Sequence, residues 1–328
     1  MTWRHAWKAV LCVAFALPPA FAQPAVEFPT KPVTLVVPFP AGGPADALAR
    51  QLQPLLRKAL GQPVVVENVG GASGRVGTLR VAKAAADGYT LVLGHAGTHA
   101  ANAALFPTLG YDPAKDFIPV AKVASMPSVL LVKNSLPVAS VDQFIDYVRK
   151  NEKTINIGTA GNGTASHLAA AMFFGSMNIQ PIYIPYKGTG PAATDLMGGV
   201  LDAMFDTSIS AVPVAHGGRA RALMVTSSTR VGVLPAVPTA QELGHTEFTL
   251  EVWYGVFAPK GTPSRIVAKL GLAVREVLGN EAFRRRLEDL GVQATHADAS
   301  GPEQLGLVVS EDVRRYTELV KSQHIVAE

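Results

Sequence analysis

The chain has 328 residues, 48% of them hydrophobic and only 16% charged. That length and apolar content allow two α/β lobes with buried cores and exclude a disordered chain. The formal net charge of +4 comes without any basic run interleaved with aromatics, which argues against nucleic acid as a partner.

The first segment reads as a leader rather than as part of the fold. Arg4, His5 and Lys8 make a basic start, residues 9–17 are apolar, and Pro18 and Pro19 end the run. Ala20-Phe21-Ala22 is a small-x-small cleavage site, so residues 1–22 are expected to be a signal peptide cut after Ala22. The apolar run is far short of the ~20 residues that span a bilayer, so an uncleaved anchor is not expected. Cys12, the only cysteine, lies inside this leader and is not preceded by a small residue, which argues against lipidation. The exported chain therefore has no thiol for a disulfide, a thiolate-bound metal or a nucleophile.

Downstream, short β-branched runs alternate with helical patterns. Strands are expected at 33–37, 64–67 and 90–93, with helices at 45–60 and 74–86. A second cycle begins near Met126. It has strands at 129–132, 155–157, 182–184, 203–205 and 221–226, and helices at 141–150, 166–174 and 192–197. Strand 253–258 and helices 266–278 and 305–320 close the chain, the helices introduced by Thr262-Pro263 and by Ser300-Gly301-Pro302-Glu303. Arg284-Arg285-Arg286, beside Glu281, Glu288 and Asp289, reads as a solvated helix face.

This alternation argues for an α/β fold with mostly parallel sheets flanked by helices. No linker divides the chain, so two lobes crossed more than once are expected, with crossings near 123–126 and 249–252. The corresponding lobes are 27–124 with 249–328, and 125–248.

Three segments stand at the carboxyl ends of strands, where open α/β sheets bind ligands. The first is Pro38-Phe39-Pro40-Ala41-Gly42-Gly43-Pro44-Ala45-Asp46, a turn that opens a helix. Helix N-termini carry unpaired N–H groups and partial positive charge, and glycines let a ligand approach the backbone. The turn lacks the Lys-Ser/Thr of a phosphate loop and the G-x-G-x-x-G pattern, so a carboxylate fits it better than a nucleotide. A turn with no ligand is equally compatible with this segment alone.

The second segment is Gly158-Thr159-Ala160-Gly161-Asn162-Gly163-Thr164-Ala165-Ser166-His167. One such turn in each lobe suggests a cleft walled by donors on both sides. The third, Gly94 to Asn102, carries His95, Thr98 and His99. The two histidines could share a helix face as metal ligands, but no nearby acid completes a site. His167 is read as a hydrogen-bonded structural or ligand-contacting histidine. No phosphate-loop, H-E-x-x-H or G-x-S-x-G pattern supplies an enzyme's machinery.

Together these residues resemble a known family. VVPFPAGGPADALAR (36–50) resembles the first ligand loop of the substrate-binding receptors of tripartite tricarboxylate transporters, the Bug receptors. GTAGNGTASHL (158–168), YIPYKGTGPAATDLMGG (183–199), residues 201–206 and 219–239, and Trp253-Tyr254-Gly255 with Ala258-Pro259-Lys260-Gly261-Thr262-Pro263 match further family stretches. The resemblance runs from about Phe28 to the last helix.

It implies a two-lobed periplasmic binding protein, type II-like, that closes on its ligand, binds a carboxylate and is not an enzyme. It implies no cofactor or metal, a monomer, and membrane transporter subunits as partners. A ligand-presenting partner of a sensor is the alternative. Carried over by residue, Phe39, Ala41, Gly42, Gly43 and Asp46 belong to the first loop. Thr159, Gly161, Gly163, Thr164, Ser166 and His167 belong to the second. Asp206 matches a position near the cleft, and Thr98 adds the third segment. Thr164 stands where the family often has serine. Lys187 is a candidate partner for a second carboxylate.

Overall fold

The computed structural model describes residues 27–322, and the expected signal peptide 1–22 lies outside them. In chain order the elements begin with β1 (Val33–Val37), α1 (Pro44–Leu60), β2 (Val64–Asn68), α2 (Arg75–Ala82), β3 (Thr90–His95) and α3 (Asn102–Leu105). Next come β4 (Phe117–Val132), α4 (Val141–Asn151), β5 (Asn156–Thr159), α5 (Ala165–Gly175), β6 (Ile182–Pro185) and α6 (Thr189–Met197). They are followed by β7 (Ala203–Thr207), α7 (Ser208–His216), β8 (Arg221–Val225) and β9 (Glu251–Pro259). The chain ends with α8 (Ser264–Leu278), α9 (Glu281–Glu288), β10 (Gln293–Ala294) and α10 (Pro302–Ser322).

The strands join in the order β2-β1-β3-β9-β4-β7-β5-β6, with β10 and β8 also paired to β4. The outer part of each lobe is parallel: β2-β1-β3 in one, β6-β5-β7 in the other. The sheet as a whole is mixed, because antiparallel strands join the parallel parts of the two lobes. β9 runs antiparallel to β3 and β4, and β4 antiparallel to β7 and β8. The cause is topological. β4 and β9 are the strands on which the chain changes lobe, and they do so side by side in opposite directions. β4 pairs with β9 from Phe117 to Pro127, then with β7 and β8 from Ser128 to Val132.

The core explains the low charge content. β1, β3, β9 and the second half of β4 are almost wholly buried, as strands covered on both faces must be. The aromatic rings of Phe173, Phe205 and Phe248 pack with centroids 5.4–5.5 Å apart under the second lobe. A smaller apolar cluster including Leu196, Met204 and Val212 lies beneath α6 and α7. No helix among the described residues is long and apolar enough to cross a membrane.

Two helix starts differ from expectation. Pro263 is the residue before α8 rather than its first helical one, and the Thr262 hydroxyl donates back to the Pro259 carbonyl at 2.8 Å. Ser300 likewise donates to the Ala297 carbonyl at 2.7 Å instead of capping α10. Ser140 does cap α4, its oxygen accepting from the Gln143 N–H at 3.2 Å.

Candidate functional site

The two glycine-rich turns face each other across the gap between the lobes and use one design. In the first, Gly43 precedes α1, Pro44 fills the first helical position, and Gly42 sits at φ +83°. The Asp46 carboxylate reaches back to the Gly42 N–H at 2.9 Å. In the second, Thr164 caps α5, Gly163 sits at φ +78°, and the Gly163 N–H donates to His167 Nδ1 at 3.1 Å. In each case the third helical side chain binds the N–H just before the cap, one residue earlier than in a capping box. The positive φ at both positions is one that glycine adopts without steric cost.

Asp46 and His167 therefore shape the turns. Arg50 Nε donates to Asp46 Oδ2 at 3.0 Å, and Asn68 Nδ2 donates to the Phe39 carbonyl at 3.1 Å, which fixes the first turn against β2. Burial alone would raise the Asp46 pKa, but these donors outweigh it and hold the carboxyl below its ordinary value. The His167 ring stands edge-on to Tyr183, and burial lowers its pKa. With Nδ1 accepting, the neutral ring carries its proton on Nε2.

A chamber between the lobes contains about 590 Å³ of space between atoms, part of it open to solvent. Of the residues singled out in the sequence, Phe39, Ala41, Gly43, Thr164, Ser166 and Asp206 line it. Gly42, Asp46, Gly163 and His167 are not among its lining residues. Thr159 is buried, its hydroxyl oxygen accepting from the Gly161 N–H at 3.4 Å. Thr98 is buried too. Its hydroxyl pairs with His99 Nδ1 at 2.9 Å and with the backbone of His95, and so fixes the wide single turn Gly97–Ala101. Gly161 lines an adjoining chamber instead.

The chamber also gathers Ser128, Thr189, Thr207 and Tyr254, which the sequence did not single out, and His95 of the third segment. His95 stacks on Phe39 at 4.9 Å and meets Tyr254 edge-on at 5.3 Å. Its Nδ1 accepts from the Gly97 N–H at 2.7 Å, and burial pushes its pKa down to about 4, so it is neutral. His99 stacks on Phe257 at 3.9 Å, and burial first, with His95 second, pushes it down to about 3. No group of three or more His, Cys, Asp or Glu among the described residues could hold a metal.

The electrostatics come from backbone, not from cations. Residues 43–45, 164–166, 188–190 and 206–207 line the chamber at the N-terminal ends of α1, α5, α6 and α7. Among the described residues no lysine or arginine lines it. The first N–H groups of each helix have no acceptor within the helix and carry partial positive charge. Asp206 is the sole acid on the wall among the described residues. Its Oδ1 accepts from the Thr207 N–H at 2.8 Å and its Oδ2 from Ser210 Oγ at 2.6 Å. Burial dominates these bonds and pushes its pKa up to about 6. The buried hydroxyls of Thr189 and Thr207 have no partner at ordinary hydrogen-bond length among the described residues, though Thr189 stands beside Asp206 and Thr207 beside Tyr254.

A two-lobed α/β fold with this chamber is the architecture of a solute receptor, and comparison with known proteins agrees. The sequence matches the tripartite tricarboxylate transporter family receptor over residues 48–325. The structure is similar to the periplasmic binding protein BugD, with TM-score 0.89 and 38% identity over 92% of this chain and 100% of that one. It is similar to MatC from Rhodopseudomonas palustris with bound malate, with TM-score 0.87 and 41% identity over 89% and 100% of the two chains. It is also similar to R. palustris Rpa4515 with adipate, with TM-score 0.88 and 35% identity over 92% and 99%. The chain belongs to the tripartite tricarboxylate transporter receptor family. It is a periplasmic solute-binding protein of the Bug type, a family of substrate-binding proteins and not of enzymes.

Proposed function

We propose that this protein, released by cleavage after Ala22, binds a small carboxylate in the interlobe chamber as a monomer. It hands the ligand to the membrane subunits of a tripartite tricarboxylate-type transporter. The lobes that close on it are 27–124 with 249–328, and 125–248. The observation that carries the reading is a chamber walled by four helix N-termini and, among the described residues, by no cationic side chain. Such a wall attracts a small anion, and its uncharged hydroxyls at Thr189 and Thr207 offer further donors. Malate and adipate, held by two similar proteins, are both organic acids of this size.

Both lobes are needed on energetic grounds. Micromolar affinity takes about 8 kcal/mol, whereas a hydrogen bond to a charged group contributes about 1.5–3 kcal/mol net. After the cost of association one turn is not enough, so the donors of the second turn must engage on closure.

A thermal-shift panel of organic acids, followed by calorimetry on those that stabilise, tests the class of ligand. Gly43→Val tests its place. Gly43 has an ordinary negative φ of −89°, and a Cβ there would lie 3.7 Å from Thr189 Oγ1 across the gap. Alanine is thus tolerated, but the valine methyls would occupy the space between the turns. Gly43→Val is expected to abolish titration with little change in melting temperature. Normal titration by that variant would move the site elsewhere.

A further inference from the structure

An acid on the wall is out of place in a chamber that attracts anions. Asp206 is only 2% exposed, and no lysine, arginine or second acid among the described residues shares the wall with it. An incoming carboxylate and this side chain therefore meet without a counter-cation. Thr189 stands between them. Its Oγ1 lies 3.7 Å from where a Cβ on Gly43 would be, at the turn that opens α1, and its hydroxyl is also a neighbour of the Asp206 carboxyl. Thr189 is buried, lines the chamber and has no partner at ordinary hydrogen-bond length among the described residues.

A hydroxyl has one hydrogen to donate. While Asp206 is ionised, the Thr189 hydrogen is drawn to that carboxylate, and Thr189 turns lone pairs toward the anion. Once Asp206 holds a proton, its own O–H can donate to Thr189 Oγ1, and the Thr189 hydrogen is free for the ligand. The surroundings of Asp206 suit either form. Its Oδ1 accepts from the Thr207 N–H at 2.8 Å in both. Ser210 Oγ, 2.6 Å from Oδ2, also reaches the Thr207 carbonyl at 3.2 Å, so its hydrogen has a second acceptor when Oδ2 takes the proton. The other ionisable groups of the chamber are His95 on β3 and Tyr254 on β9. Burial keeps the His95 ring neutral, and burial first, with Asp206 second, pushes the Tyr254 hydroxyl up. The Asp46–Arg50 pair on α1 and His167 on α5 are not among the lining residues.

We propose that the receptor takes up its acid together with one proton from solvent, which Asp206 holds, and that Thr189 is the donor this proton turns toward the ligand. This rests on the carboxylate reading above. Two negative groups in one desolvated site do not both stay ionised. At about 4 Å and an effective dielectric constant of about 20, the anion favours the protonated carboxyl by roughly a thousandfold. Burial places the Asp206 pKa at about 6 before any ligand arrives, so at neutral pH the proton is acquired on binding and not carried beforehand.

The test is calorimetry with malate, adipate and benzoate at pH 7.5, each in HEPES and in Tris, whose ionisation enthalpies differ enough to count protons. The unaltered protein is expected to take up about 0.9 proton per ligand, and its dissociation constant to rise about twentyfold from pH 6.5 to pH 8. Asp206→Asn is expected to take up none and to keep its affinity within about twofold over that range. Thr189→Val, of the same shape without the hydroxyl, should bind about tenfold more weakly, and Thr189→Ser should bind as the unaltered protein does. Uptake below about 0.3 proton in the unaltered protein would overturn the proposal, leave carboxylate capture standing, and require no variant to fold. Uptake that persists in Asp206→Asn would put the proton on the ligand and overturn it too. Undiminished binding by Thr189→Val would overturn the donor role of Thr189. If none of the three acids bound the unaltered protein, carboxylate capture would fail and the coupled proton with it.

Discussion

Asp206 sets the sharpest pH dependence at the scale of one residue. Its carboxyl is buried, and burial raises its pKa to about 6 even though Thr207 and Ser210 donate to it. A folded-state pKa above the ordinary carboxylate value means that the folded chain holds more protons than the unfolded one between about pH 4 and pH 6. The contribution to stability is therefore full below that window and is lost as pH rises through it. Two pKa units correspond to at most about 3 kcal/mol. An asparagine in its place would keep the size of the side chain and one acceptor for the Thr207 N–H while removing the titration. Melting temperatures of Asp206→Asn and the unaltered protein between pH 4.5 and 7.5 check this. The variant is expected to gain relative to the unaltered protein as pH rises, and parallel profiles would contradict it. The same residue shows what the sequence could and could not convey. Its place at the end of a short strand was legible, but burial and the missing counter-cation are properties of the folded wall.

Among the elements, the strand–turn–helix units were legible because each announces itself locally. A β-branched run, a glycine turn and a helix start follow one another at β1–α1 and β5–α5, and α1 adds a clear 3.6-residue period. β4 was legible only in its last four residues. Pro119 and Pro127 interrupt its pattern, and they sit where strands tolerate proline: Pro119 at a register shift and Pro127 where β4 leaves β9. α7 was missed because Pro213 lies inside it and its residues are small or β-branched, which gives no amphipathic period. With α7 unseen, Thr207 had no helix start to belong to. Tyr254 was missed because β9 is buried throughout, and a continuous apolar run hides which end meets the cleft.

The shared cap design was also written in the sequence, as glycine followed four residues later by Asp46 or His167, but only the structure shows that the two are equivalent. Asp46→Ala would leave the Gly42 N–H without its acceptor and free Arg50. A loss of about 1–2 kcal/mol is expected, as for other N-terminal helix caps, read as a fall in melting temperature. Asp46→Asn, which keeps an acceptor oxygen, should recover part of that loss. Failure to recover any of it would assign the effect to charge rather than to the cap.

Closure on a ligand, as proposed above, would bend the chain at β4 and at the start of β9, where it passes from one lobe to the other. On the far side the lobes meet at several points. Ser73 meets Asn162, and a Cβ on Gly163 would lie 3.0–3.2 Å from Leu105 and Phe106, so the lobes touch there with no room to spare. A single cross-lobe hydrogen bond between neutral groups contributes about 0.5–1.5 kcal/mol net, enough to shift a closed-to-open ratio by roughly twofold to tenfold. Ser73→Ala isolates that bond. Serine and alanine carry the same Cβ penalty at φ 57°, so the backbone strain is unchanged and only the hydroxyl is lost. The variant is expected to show a larger radius of gyration by solution X-ray scattering before ligand is added. It should bind its acid about twofold to tenfold more weakly, with a melting temperature close to that of the unaltered protein. Ser73→Gly removes the hydroxyl and relieves the strain together. Comparing the two variants separates the latch from the loop that carries it, and unchanged scattering and affinity in Ser73→Ala would show that the bond does not bias closure.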